Sequence, residues 1–214
     1  MTGLVLGFAA WIVTASLSGV NDWRIWYVEN QTVVTGGVAW IGVWRACFNS
    51  HILDSAEICK SISLTDSFTP PEIAAAQVLC MVAVGVGAVA NLLAGFAVRR
   101  AMFGVNSGHV RLVFVMAGFF YWLTAACSLV PVIWNMNSVL SNQTIDFPPD
   151  FFLPSSPIKQ EVGPGIGFGI SSACALLISI RNQKYLKVKK KDILTNIKGM
   201  KAIKTQLKEV EKKE

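Results

Sequence analysis

Charge is scarce in this chain of 214 residues, and histidine is scarcer. Asp, Glu, Lys and Arg together make up 15% of it, and His51 and His109 are the two histidines. That leaves little material for acid–base chemistry. No Cys–His pair, metal-spaced cluster, phosphate-binding glycine loop or nucleophile elbow is written into it. The sequence therefore argues against an enzyme and calls for no metal and no cofactor. Nothing in it points to a nucleic-acid partner.

Charge is also missing where hydropathy is highest. The runs 4–20, 73–98, 112–134 and 162–180 contain no Asp, Glu, Lys or Arg. Each reaches the length of about 17–25 residues needed to cross hydrocarbon. With 53% apolar residues, the chain reads as a four-span membrane protein and not as an ordinary soluble domain. Helices are expected, because in lipid they satisfy every backbone group internally. Gln77 and Asn91 are the expected hydrogen bonders between spans. Gly85, Gly87, Gly163, Gly165, Gly167 and Gly169 are expected to let helices approach closely within the bundle. Spans without charge offer no proton relay or ion pathway through the bilayer, which argues against a transporter.

The basic residues set the topology. Twelve of nineteen follow Ile180, and Arg99, Arg100 and Arg111 flank the middle loop. The other two loops, 21–72 and 135–161, hold only Arg24, Arg45, Lys60 and Lys159. The positive-inside rule places both termini and the middle loop in the cytoplasm and the other two loops outside. The lack of Lys and Arg before the first run favours a retained span over a cleaved signal peptide. Residues 1–185 then form a membrane domain and 186–214 a basic cytoplasmic tail.

Cysteines divide under this topology. Cys80, Cys127 and Cys174 fall within spans and read as packing residues. Cys47 and Cys59 lie outside, where oxidation is permitted, and two outer cysteines leave one intrachain bridge. Two tripeptides, starting at Asn30 and Asn142, are possible N-glycosylation acceptors on the same side.

The first outer loop has strand chemistry. Residues 23–28 read Trp-Arg-Ile-Trp-Tyr-Val, Gly36-Gly37 is a turn signal, and 38–48 alternates apolar and small residues. An antiparallel sheet on the outer membrane face is expected, with the bridge clipping two of its strands. Trp23 and Trp44 are expected to fill its interior.

The spacing Trp23, Gly42-Val43-Trp44, Cys47, Cys59 resembles the first extracellular loop of claudins: Trp, then Gly-Leu-Trp, two residues, Cys, a spacer and Cys. Here Val43 replaces the Leu and the spacer is slightly long. The second loop, with Phe147-Pro148-Pro149 and then Lys159-Gln160-Glu161-Val162-Gly163, is similar to the claudin second loop, although Pro148 stands where an aromatic is common. The resemblance runs in order along roughly residues 4–185. It implies a membrane four-helix bundle, all-α, carrying a small extracellular antiparallel β-sheet of five strands, four from the first loop and one from the second.

It also implies a structural protein of cell–cell contacts in the plasma membrane. Such a protein would contribute to tight-junction sealing, touch membrane lipids, and meet claudin-like proteins in cis and in trans. Charges beside the cysteines bias ion passage in claudins, which makes Phe48 and Lys60 candidate pore-lining positions. A cation at Lys60 would favour anions. The loop as a whole carries six acidic against three basic residues, and a barrier with no conducting path stays equally open. The alternative is an accessory or membrane-organising four-span protein, like channel gamma subunits or peripheral-myelin-type proteins, which share the Trp and Cys frame and form no junction strands.

With its departures from the pattern, the chain resembles a divergent, non-classical claudin, of the claudin-34 kind. No Arg precedes the second span, and cysteine pairs beside the spans are missing. The chain ends Glu211-Lys212-Lys213-Glu214, so no PDZ-binding terminus is apparent. In the tail, Ile193, Ile197, Met200, Ile203, Leu207 and Val210 follow helical spacing with lysines between them. A basic amphipathic helix next to a membrane reads as a contact with the anionic inner leaflet.

Overall fold

The computed structural model describes residues 2–29, 33–50, 56–103 and 108–181. The chain runs α1 (Thr2–Leu17), β1 (Arg24–Tyr27), β2 (Val34–Ile41), β3 (Arg45–Ser50), β4 (Glu57–Ser61), α2 (Pro71–Met102), α3 (Gly108–Leu140), β5 (Lys159–Val162) and α4 (Pro164–Arg181). The last three helices are long and apolar enough to cross a membrane, and α1 is a shorter apolar helix. The expected class is what is found: a membrane-type four-helix bundle with a small antiparallel sheet at one end.

Two helices outrun their apolar stretches. At 32 and 33 residues, α2 and α3 are each about 48–50 Å long, against roughly 30 Å of hydrocarbon. Polar residues end the hydrophobic runs without ending the helices. Pro71 opens α2 at a position where its missing N–H costs nothing. Glu72 in its first turn and Arg99 and Arg100 in its last complement the helix dipole. The extra turns of α2 and α3 reach the sheet and supply its anchors.

Small side chains and hydroxyls pack the bundle. Ala10, Ala90, Ala94, Ala117 and Ala125 form a buried cluster with Tyr121 and Leu176. Thr14 and Ser172 share a 2.6 Å hydrogen bond between α1 and α4, and Tyr121 Oη donates to Asn91 Oδ1 at 2.7 Å between α3 and α2. A Cβ on Gly87 would collide with the Trp11 ring, whose Nε1 donates to Val84 O at 2.9 Å. Gly169 meets Val132, whereas Gly85 and Gly167 face open space and are not approach points within the chain. Gln77 departs from expectation as well. Its Nε2 donates to Val43 O and Ile62 O, at 2.8 and 2.7 Å, and so holds the sheet's loops instead of another helix.

The sheet order is β4-β3-β2-β1-β5, antiparallel throughout. Gly36-Gly37 lies inside β2, not at a turn. Both residues have positive φ, +69° and +65°, where the β2–β3 register shifts, as expected of a glycine bulge. The turn comes later and splits the 38–48 run at Gly42-Val43-Trp44, closed by Gly42 N donating to Arg45 O at 2.9 Å.

Candidate functional site

Alternation gives the sheet two faces. One carries the row Gln160, Trp26, Ala39, Phe48, Ile58 and, two residues along, Val162, Arg24, Ile41, Ala46, Lys60. The loop between α3 and α4 covers this face. Phe147 meets the fully buried Trp26 edge-on at 5.8 Å, and Phe151 meets Phe48 at 5.4 Å. Ile145 and Leu153 complete the cluster. Pro148 and Pro149 lead into the single 3-10 turn Pro149–Phe151 that aims these rings. At its end, Phe152 takes a left-handed φ of +61° and stands 64% exposed.

Phe48 is therefore not a lining residue. It is fully buried beneath Phe151, because position 48 shares its face with Trp26. Trp44 also departs from expectation: at the β2–β3 turn it is 37% exposed, and Trp26 fills the sheet interior in its place. Trp23 is buried with Val43, Ala76, Cys80, Val132 and Ile166 at the sheet–bundle junction, its Nε1 donating to Leu17 O at 3.1 Å. Gly42 earns its place in the motif through proximity. A Cβ there would lie 2.7 Å from Asn21 Cα and 2.8 Å from Val20 O, where α1 hands over to the sheet.

Cys47 and Cys59 face each other across β3 and β4 on the opposite face and form a disulfide, S–S 2.05 Å. Such a bridge constrains the unfolded chain by about 2–4 kcal/mol. Glu57 lies near both sulfurs, but a disulfide has no thiolate to give a metal. On the same face Lys159 pairs with Glu161 at 2.5 Å, and Tyr27 Oη donates to Glu161 at 3.1 Å. These two donors hold the Glu161 carboxyl below its ordinary value, Lys159 contributing most.

Lys60 sits on the edge strand next to the bridge. Its Nζ is 2.8 Å from Asp150 Oδ2 in the covering loop. The Lys60 hydrogen bond draws the Asp150 carboxyl below its ordinary value of 3.8. The pair therefore persists above that range and is lost only as pH falls through the lowered value.

The largest omission of the sequence reading is buried. Arg24 and Glu72, counted there as ordinary loop charges, are 1% and 2% exposed and joined at 2.8 Å. Arg24 Nη2 also donates to Asn135 Oδ1 at 2.8 Å. Ser138 Oγ donates to Glu72 Oε1 at 2.6 Å, and Asn135 Nδ2 to Glu72 O at 3.1 Å. One group thus joins β1, α2 and α3. Arg24 Nε and Nη1 have no acceptor among the described residues, so compensation of the guanidinium rests on Nη2. Burial lowers the Arg24 pKa, and the hydrogen bond and charge of Glu72 oppose that. A sequence cue existed: Glu72 opens an apolar run, where a carboxylate needs a partner.

Asn142 is exposed at the end of α3 with φ +52°. Asn30 and the tail from residue 186 lie outside the described residues.

Known proteins are similar to this sequence along most of its length. Claudin-3 of Rattus norvegicus is 25% identical over 190 residues, spanning 83% of this chain and 77% of its own. Claudin-2 of Mus musculus is 24% identical over 186 residues, 84% and 74%. Claudin-8 of Mus musculus is 24% identical over 187 residues, 83% and 75%. The chain is similar to claudins along most of its length. No protein-family profile matches it. That similarity agrees with the apolar helices, the antiparallel sheet and the disulfide that clips it.

Removing one member of a buried ion pair strands the other. Glu72→Gln is expected to cost about 3–5 kcal/mol, seen as a lower unfolding midpoint of the detergent-solubilised full chain in thermal size-exclusion measurements. Replacing both members (R24M/E72L) should recover most of the loss. An unchanged midpoint for E72Q would contradict the anchoring role.

Proposed function

We propose that this chain is a structural, non-enzymatic, multi-pass protein of the plasma membrane that works at tight junctions, contributing to a paracellular seal. The observation that carries the reading is the disulfide-clipped sheet at one end of the bundle, held rigidly by a buried ion pair. A sheet so fixed can present its edges and open face to another protein in a reproducible geometry. Claudin-like proteins in the same membrane and on the facing cell are its partners. The sheet lies outside and both termini inside, a placement supported by the bias of basic residues. Residues 1–185 are the membrane domain and 186–214 the tail. Asn142 is available for glycosylation at the outer end of α3.

Expression in fibroblasts that lack junctions tests the reading. Enrichment at contacts, with intramembrane strands by freeze-fracture, is expected. Uniform surface labelling without strands would instead favour an accessory, membrane-organising protein of the channel gamma-subunit or peripheral-myelin kind.

The tail is proposed to adhere to the anionic inner leaflet, each Lys near such a surface contributing about 1 kcal/mol. A peptide of residues 190–213 should become helical on anionic vesicles and release at high salt. Circular dichroism unchanged by those vesicles would reduce the segment to a solvated tail.

A further inference from the structure

Lys60 and Asp150 come from different outer loops, 90 residues apart, and each is tied to a rigid neighbour. Lys60 follows Cys59 of the disulfide. Asp150 precedes Phe151, whose buried ring is wedged against Phe48 and Phe147. The 2.8 Å contact is partly exposed, with side chains 37% and 67% accessible. Most exposed pairs are transient because two long side chains must be ordered at once. Here one partner is a short carboxylate on an anchored turn, so little ordering remains. An ion several ångströms away meets opposite charges of equal size, whose potentials partly cancel and leave a dipole much weaker than a lone charge. Among the described residues, the other charged groups of the sheet do not compete for Lys60. Glu57 points from the opposite face of β4, Lys159 and Glu161 pair with each other, and Arg45 Nε donates to Asn21 Oδ1.

We propose that Asp150 is a selectivity-determining residue, whose carboxylate neutralises Lys60 and leaves the sheet edge beside the disulfide without preference for anions or cations. This rests on the junctional reading above. The edge charge is then set by a contact between the two outer loops and not by the residue after the second cysteine alone.

Dilution potentials test this in epithelial monolayers poor in endogenous claudins, expressing the full chain at confirmed contacts. Asp150→Asn should raise the Cl⁻ to Na⁺ permeability ratio about threefold, the effect of one uncovered unit charge felt from about 6 Å through screened water. Lys60→Gln should lower the ratio by a similar factor. The charge swap K60D/D150K should return it to the wild-type value, which guards against a misfolded loop as the cause. A D150N ratio equal to wild type, with protein at contacts, overturns the proposal and leaves the junctional reading standing. A shift of D150N and K60Q in the same direction overturns it too. Absence of the wild-type chain from contacts overturns both.

Discussion

The placement of the sheet on the bundle depends on one buried charge pair. A guanidinium moved out of water costs several kcal/mol unless a carboxylate and further hydrogen bonds meet it. Arg24 meets this condition through Nη2, with β1 against the sheet-side ends of α2 and α3, where Glu72, Asn135 and Ser138 converge. Apolar packing alone would tolerate sliding, because it has no direction. The ion pair and its hydrogen bonds do have direction. They turn a sheet resting near a membrane into a sheet with a fixed pose.

Around that anchor the two outer loops become one unit. The second loop donates β5 to the edge of β1 and then lays Phe147 and Phe151 over the core face. Among the described residues, the accessible ones include those of the edge strand β4, the exposed Phe152 and the charged face bearing Tyr27, Lys159 and Glu161. The disulfide holds β4 against β3 at the edge where unpaired backbone is most exposed.

Much of this was legible in the sequence, for physical reasons. Apolar runs without charge have few solutions in lipid, and β-branched and aromatic residues outside the spans have few besides a sheet. The resemblance to claudins carried by the Trp and Cys motif then implied the strand count. Burial within the sheet was harder to read. Position 48 beside Cys47 looked like a lining residue, but alternation from Trp26 turns it inward. Trp44 looked like core and proved half-exposed, since it sits at the turn. Counting charges along the first loop could not separate Glu72, sealed in the bundle, from Glu57 in water. A tally of net charge treats the two alike, and only the fold distinguishes them.

Hydrogen exchange on the full chain in lipid nanodiscs, wild type against E72Q, tests the central claim most directly. If the ion pair fixes the pose of the sheet, amides of β1 and β5 and of the loop from Phe147 to Phe151 should lose protection together, while the interiors of α2 and α3 keep theirs. Loss confined to the residues next to Arg24 and Glu72, or no loss at all, would contradict the account.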